Sequence, residues 1–445
     1  MTNSQTSKQE SFSNRIARLL PWIICGLAAG FYCYEYLLRI TPGLMVEHLQ
    51  VAFSKNGMPL DATQVGHLSA YYYYAYTPMQ LPVGLMMDRY GPRNILTIAV
   101  LSCAIGTLIF ASTHNPSIAA AGRFLIGFGS SFAFVGVLKL ATTWLPADRF
   151  AFVSGLTTTL GMIGAMFGGT YLSALITDLG WRETLYYSSY VGFILFPIIW
   201  FIVRDAPSGE TASVDPRTVK VLSYAQLFRD ILFAMRNKQI WINGVIGCLI
   251  MAPTVVFAEL WGVSYLKTVQ SLTNEQSTRA VSLIFLGWAI GGPLVGFISD
   301  RMKKRKPLLW LGSFIVTILL FFVIFYPVLT YLQVSVLLFA IGFFSSVEII
   351  CFAIGRENCQ LRLAGTVVAI TNFIVVCGFF FQELVGVLLD RAWNSDRLMI
   401  DAMKVYSADN YRAAMFILPI LTLVAFFLCF LLKETNCQQV AKEDT

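Results

Sequence analysis

A few ionisable and hydrogen-bonding side chains interrupt the most apolar stretches of this 445-residue chain. Tyr32, Glu35, Tyr36 and Arg39 follow an i, i+3, i+4, i+7 pattern, which puts them on one stripe of a helix. Glu35 and Arg39 can pair with each other. Alternatively, Glu35 takes a proton or an amine and Arg39 takes a carboxylate. Arg123 and Lys139 are two more cations within apolar runs, with Lys139 near enough to Pro146 to reach toward water. Glu348 lies well inside its run, on a face shared with Ser345 and Phe352. Asn372 is at mid depth, while Glu259, Gln382 and Glu383 lie toward one end of theirs. Tyr71, Tyr74 and Pro78 fall along one face; such phenols pack, or hydrogen-bond a polar solute. Ionisable groups at this depth face a cavity or a partner, so the chemistry they suit is the binding and release of a charged solute or a proton.

Other chemistries lack their residues. There is no GxxxxGK[ST], HExxH or GxSxG motif, which argues against an enzyme. Nine cysteines include no CxxC pair and read as small buried hydrophobes, so no metal or other cofactor is expected. The three histidines, His48, His67 and His114, fall near the ends of apolar runs.

The elements that must position these groups are membrane-spanning helices. The chain is 56% hydrophobic and only 13% charged, against about 25% charge in soluble domains. Apolar runs of about 20 residues, enough to cross a bilayer, occur twelve times. They divide the chain into a tail at 1–18, six spans at 19–203, a polar linker at 204–238, six spans at 239–432 and a second tail at 433–445. The linker holds Arg204, Arg217, Lys220, Arg229, Arg236 and Lys238. With the N-terminus inside, Lys and Arg number 21 in the tails and inner loops against 8 in the outer loops. This predicts both termini on the cytoplasmic side. The net charge of +7 is thus an orientation signal and no nucleic-acid footprint. Trp261 and Trp310 read as interfacial anchors.

The chain also repeats itself. Gly84, Asp88, Arg89 and Arg93 return as Gly296, Asp300, Arg301 and Arg305 at an offset of 212. Ile126 to Ser131 returns as Ile341 to Ser346, and Asp178 to Trp181 as Asp390 to Trp393. Collinear matches imply two parallel six-span halves, a plan in which the halves rock about a site near the bilayer midplane.

These residues resemble the major facilitator superfamily of transporters over nearly the whole chain. The loop Gly84, Asp88, Arg89, Gly91, Arg93 is similar to that family's G-x-x-x-D-R-x-G-x-R signature, with a degenerate copy at Gly296, Asp300, Arg301 and Arg305. The resemblance implies an all-α fold of twelve helices in two pseudo-symmetric halves. It further implies that the charged loops latch the halves in one conformation, with Gly84 allowing close helix contact. Arg123, Gly127 and Gly129 resemble the family's R-x-x-x-G-x-G, whose arginine is implicated in proton coupling; the second half has Leu338 there. Gly164 to Gly169 resembles the antiporter motif except that Ala165 stands for proline, which speaks against drug–proton antiport. Spans one and two loosely resemble the branch with the lysosomal dipeptide transporters and their bacterial relatives.

The expectation is a secondary transporter or facilitator for a small polar solute, an amino acid or dipeptide being favoured. Proton coupling would fall to Glu35, Glu259, Glu348 or Glu383. An organic anion held by Arg39, Arg123 or Lys139 is the alternative, and a non-transporting membrane sensor the alternative of another class. The family default is a monomer, here expected in a bacterial inner membrane with the lipid bilayer and the solute as its partners.

Overall fold

The computed structural model describes residues 2–53, 58–145, 150–206, 223–360, 363–393, 399–400 and 403–438. Pro146, Arg217 and Lys220, with residues 207–222 of the linker and 439–445 of the tail, lie outside the described residues. Among the described residues, eleven helices are long and apolar enough to cross a membrane. They are span 1 (Leu19–Leu44), span 3 (Pro92–Ser112), span 4 (Pro116–Trp144), span 5 (Gly155–Leu179), span 6 (Trp181–Ile202), span 7 (Lys238–Val269), span 8 (Asn274–Met302), span 9 (Lys306–Phe325), span 10 (Tyr331–Glu357), span 11 (Ala364–Ala392) and span 12 (Ala408–Leu431). The twelfth crossing, span 2, is the helix Ala62–Met79 continued after a turn at Gln80–Pro82 by Val83–Tyr90. Five tyrosines, His67 and Gln64 lower its hydropathy below that of the other spans. The linker folds in part into an eleven-residue helix, Tyr224–Ala234. Two residue pairs, Met399–Ile400 and Met403–Lys404, form a short antiparallel hairpin before span 12.

Local sequence sets the ends of the spans. Asp61–Gln64, Thr273–Gln276, Thr330–Gln333 and Ser407–Asn410 form capping boxes at the starts of spans 2, 8, 10 and 12, satisfying N–H groups that the helix leaves open. Asn115 caps span 4 in a similar way. Three spans then break mid-course. Span 7 contains a nine-residue π-helix, Pro253–Trp261, span 10 a 3₁₀ turn at Ser346–Glu348, and span 11 another at Cys377–Phe379. Such interruptions reorient side chains and often mark functional segments.

The halves meet where span 2 packs on span 11, span 5 on span 8, and span 1 on the π-helical part of span 7. At the rim away from the linker, polar bonds join them. Thr63 donates from its backbone N and hydroxyl to Asp390 at 2.8 and 2.5 Å, Tyr406 accepts from Ala62 N at 2.9 Å, and Lys267 pairs with Glu47 at 2.6 Å. A Cβ added at Gly386 would lie 2.6 Å from the Ala62 carbonyl, so the backbones are in contact there. At the linker rim the ion pairs among the described residues stay within one half. The bonds between the halves seal the rim away from the linker, while at the linker rim Leu81 at the end of span 2 packs against the cluster of Ile240, Leu363 and Val367.

A side chain added at Gly84 or Gly296 would meet no atom within 4 Å, so the close helix contact expected at Gly84 is not made in this conformation. The charges of the two loops are held separately. Asp88 pairs with Lys139 of span 4 at 2.6 Å, and Arg93 lies 4.3 Å above the Trp200 ring with its backbone N on Asp205 at 2.8 Å. Arg89 lies over the rings of Tyr90 and Tyr224. In the second half Arg305 binds Asp300 at 2.7 Å and Glu357 at 2.6 Å, while Arg301 has no ion pair among the described residues.

Candidate functional site

Beneath the sealed rim, where spans 1, 2, 4 and 7 converge, the structure gathers four buried charged residues. Glu35 is fully buried, and Arg123, Glu259 and the Arg39 side chain nearly so. Arg39 Nη2 donates to Glu35 at 3.3 and 3.5 Å, its Nε donates to Tyr72 OH at 3.0 Å, and that hydroxyl donates on to Glu35 at 3.0 Å. The guanidinium is caged by the rings of Tyr36 and Tyr76, whose centroids are 4.4 and 4.8 Å from Cζ, a cation–π arrangement strengthened by the absence of water. The contacts to Glu35 are long for a charge-assisted pair, which is usually 2.7–2.9 Å.

Arg123 reaches the same place from span 4. Its Nη1 donates to the Leu38 carbonyl at 2.8 Å. That carbonyl would ordinarily accept from residue 42, but Pro42 has no N–H to give. Arg123 therefore fills a gap that the span 1 proline opens. Its charge remains unbalanced: among the described residues no carboxylate lies within ion-pair distance, and its Nε has no partner. The Tyr72 ring lies between the two arginines, 5.2 Å from Arg123 Cζ and 5.5 Å from Arg39 Cζ.

Span 7 closes the site from the other half. Tyr73 OH donates to Glu259 Oε2, while Glu259 Oε1 is buried without a partner. Close by, Gln382 of span 11 ties three spans together. It accepts from Ser69 at 3.4 Å, donates to Val255 O at 2.6 Å, and its backbone carbonyl accepts from Trp261 at 2.9 Å. Trp261 is thus almost wholly buried and is no interfacial anchor; the break in span 7 turns its indole inward.

The remaining sequence candidates lie elsewhere. Tyr32 stacks edge-on to Tyr36 at 5.8 Å and borders the cluster. Tyr71 is half exposed, and Tyr74 leaves the cluster to bond Glu383, which also meets His67 at 3.1 Å on the seam of spans 2 and 11. Asn372 donates to Gln80 at 2.8 Å across the same seam. Lys139 is held at the linker rim by Asp88, beside an open vestibule of about 200 Å³ that Gly84 and Thr142 also line. Glu348 is buried inside the second half, and its Oε1 has no partner among the described residues.

Spacing in the sequence names Tyr71 and Tyr74 as candidates on one face of span 2. The residues turned to the arginines are Tyr72 and Tyr76, with Tyr73 beside them on Glu259, while Ser69 and Gln80 bond span 11. The polar spacing of Ser69, Tyr72, Tyr76 and Gln80 was a signal in the sequence, since an outer, lipid-facing stripe has no need of Ser and Gln.

A sequence profile described as the Major Facilitator Superfamily matches residues 14–382, and the chain belongs to that family. Among curated relatives, the probable sulfoacetate transporter SauU of Cupriavidus necator is 22% identical over 64% of this chain and 66% of its own length. The probable L-galactonate transporter of Escherichia coli is 23% identical over 74% of this chain and 76% of its own. The gallate transporter of Pseudomonas putida is 24% identical over 51% and 55%. The chain thus spans just under two thirds of the first relative's length. A solved bacterial homologue of the human lysosomal transporter Spinster superposes with a TM-score of 0.74 at 16% identity, covering 94% of this chain and 97% of that one. At that identity the likeness concerns the fold.

Proposed function

We propose that the protein carries a small organic anion across the membrane by alternating access, with Arg39 and Arg123 as the anion anchors. The observation that carries this reading is the unbalanced charge of Arg123, buried beside an arginine whose own carboxylate partner is loosely held. Glu35 then stands in for the solute carboxylate or sulfonate, and an entering anion displaces it from Arg39. The acids named for sulfoacetate, L-galactonate and gallate relatives fit this chemistry, whereas an amino acid or dipeptide gains no support from them. The buried, half-partnered Glu259 is a candidate for taking up a proton with the anion. The surplus of Lys and Arg in the linker and its neighbouring loops favours a cytoplasmic linker rim, so the sealed rim would face outward.

The test is uptake into proteoliposomes of labelled sulfoacetate, galactonate, gallate and a hexuronate, beside alanine and dialanine, with and without a pH gradient. Uptake of at least one acid, inhibited by the other acids, is expected. Uptake of dialanine or alanine alone would overturn the anion assignment. Binding of an acid without any flux would favour the sensor.

A further inference from the structure

The linker helix, Tyr224–Ala234, presents three faces. Ala234 is buried, and Ile231 and Met235 pack with Ile240, Leu363 and Val367 at the feet of spans 7 and 11. A second stripe, Tyr224, Phe228 and Leu232 at i, i+4 and i+8, is 43%, 63% and 48% exposed. The remaining face carries Gln226 and Arg229, with Phe233, 50% exposed, between them. A helix with one face packed on protein would ordinarily keep only polar residues on its others.

Two sets of contacts fix the level of this helix. At its end, Trp241 Nε1 donates to Met235 O at 2.8 Å and Asn237 Nδ2 to Asn358 O at 3.0 Å, pinning it to the first turn of span 7 and the end of span 10. At its start, the Arg89 guanidinium lies 5.5 Å from the Tyr224 ring, beside the end of span 2. Both ends are therefore held at the ends of spans, and the helix lies along the rim with its apolar stripe at that level. Exposed Arg229, Arg236 and Lys238 flank that stripe, which is the charge pattern of a helix resting on an anionic surface.

We propose that the linker helix is an interfacial helix, seating Tyr224, Phe228 and Leu232 at the boundary of headgroups and acyl chains in an anionic leaflet, with Arg229 and Arg236 on lipid phosphates. The occupant is the bilayer, because the stripe is continuous with the level of the span ends and basic residues border it. This does not depend on which solute is carried.

The test is hydrogen–deuterium exchange of the segment 223–236 in the full-length protein, in detergent, in phosphatidylcholine nanodiscs and in discs with one quarter phosphatidylglycerol. Exchange is expected to slow roughly tenfold or more from detergent to the anionic discs, and by less in the neutral ones. Phe228→Asp with Leu232→Asp should abolish the slowing while spans 7 and 11 stay protected. Arg229→Gln with Arg236→Gln should remove only the difference between the two discs. Equal rates in all three media would overturn the proposal, as would slow exchange that survives the double aspartate variant. Protection that instead rises with protein concentration would assign the stripe to a second copy of the chain and also overturn it.

Discussion

Tyr73 of span 2 donates a hydrogen bond from its hydroxyl to Glu259 in the π-helical stretch of span 7, and so joins the two halves through a buried carboxylate. In a π-helix the side chains advance differently from those of an α-helix, which changes the direction in which Glu259 leaves span 7. Rocking of the halves must break or exchange this bond. The carboxylate's second oxygen already lacks a partner, so the bond is a joint between halves and a place where charge is poorly compensated.

Tyr73→Phe should weaken the sealed arrangement without disturbing either half. Removing a hydrogen bond to a buried carboxylate costs about 1–3 kcal/mol. A lower melting temperature and a larger parted population at the sealed rim are expected, the latter read from the distance between spin labels at positions 48 and 268. An unchanged distance distribution and melting temperature would show that the bond contributes nothing.

Arg39→Lys keeps a charge but loses the planar fork that suits a carboxylate or sulfonate, and Arg123→Gln removes the unbalanced charge. Each should weaken acid binding roughly 100-fold, equivalent to about 2.7 kcal/mol, as measured by calorimetry on protein whose helicity is checked by circular dichroism. Binding within about threefold of the parent for both variants would remove the arginines from the site.

Glu35→Gln should act in the opposite direction. With its internal carboxylate gone, Arg39 is free for the solute, and acid affinity should rise by roughly tenfold. A drop in affinity would mean that Glu35 positions Arg39 and does not compete for it.

Glu434, just past span 12, is a test by pH. Burial acts to raise its pKa, but the backbone N–H groups of Arg305, Lys306, Asn436 and Thr435, at 2.9–3.2 Å, outweigh this and hold it below the usual carboxylate range. A depressed folded-state pKa means the stabilisation is present above the unfolded value of about 4.3. It is lost as pH falls through the folded value. The parent should melt above Glu434→Gln at pH 7, and the two curves should begin to converge as pH falls below the unfolded value of about 4.3. A gap that widens on acidification would contradict the assignment.

The twelve crossings, the duplication and the family membership were legible from the chain because they depend on one-dimensional quantities: run length, apolar content, and residues repeated at a constant offset. Span 2 shows how far this goes. Its boundaries follow from the capping box at Asp61 and from Pro82, and its tyrosines mark it as unusual. Whether Tyr72 or Tyr74 meets an arginine depends on its rotation, which the partner spans set. The stripe of Glu35 and Arg39 could likewise be drawn from spacing alone. That Arg123 answers the carbonyl freed by Pro42, 81 positions earlier in the chain, could not, because a missing N–H calls for a donor without saying where it comes from. Tertiary packing also separated groups that looked alike in sequence. Lys139 went to the rim and Asp88, Glu348 into the second half, and Glu259 across to Tyr73, since each buried charge takes the partner that the neighbouring helices bring within reach.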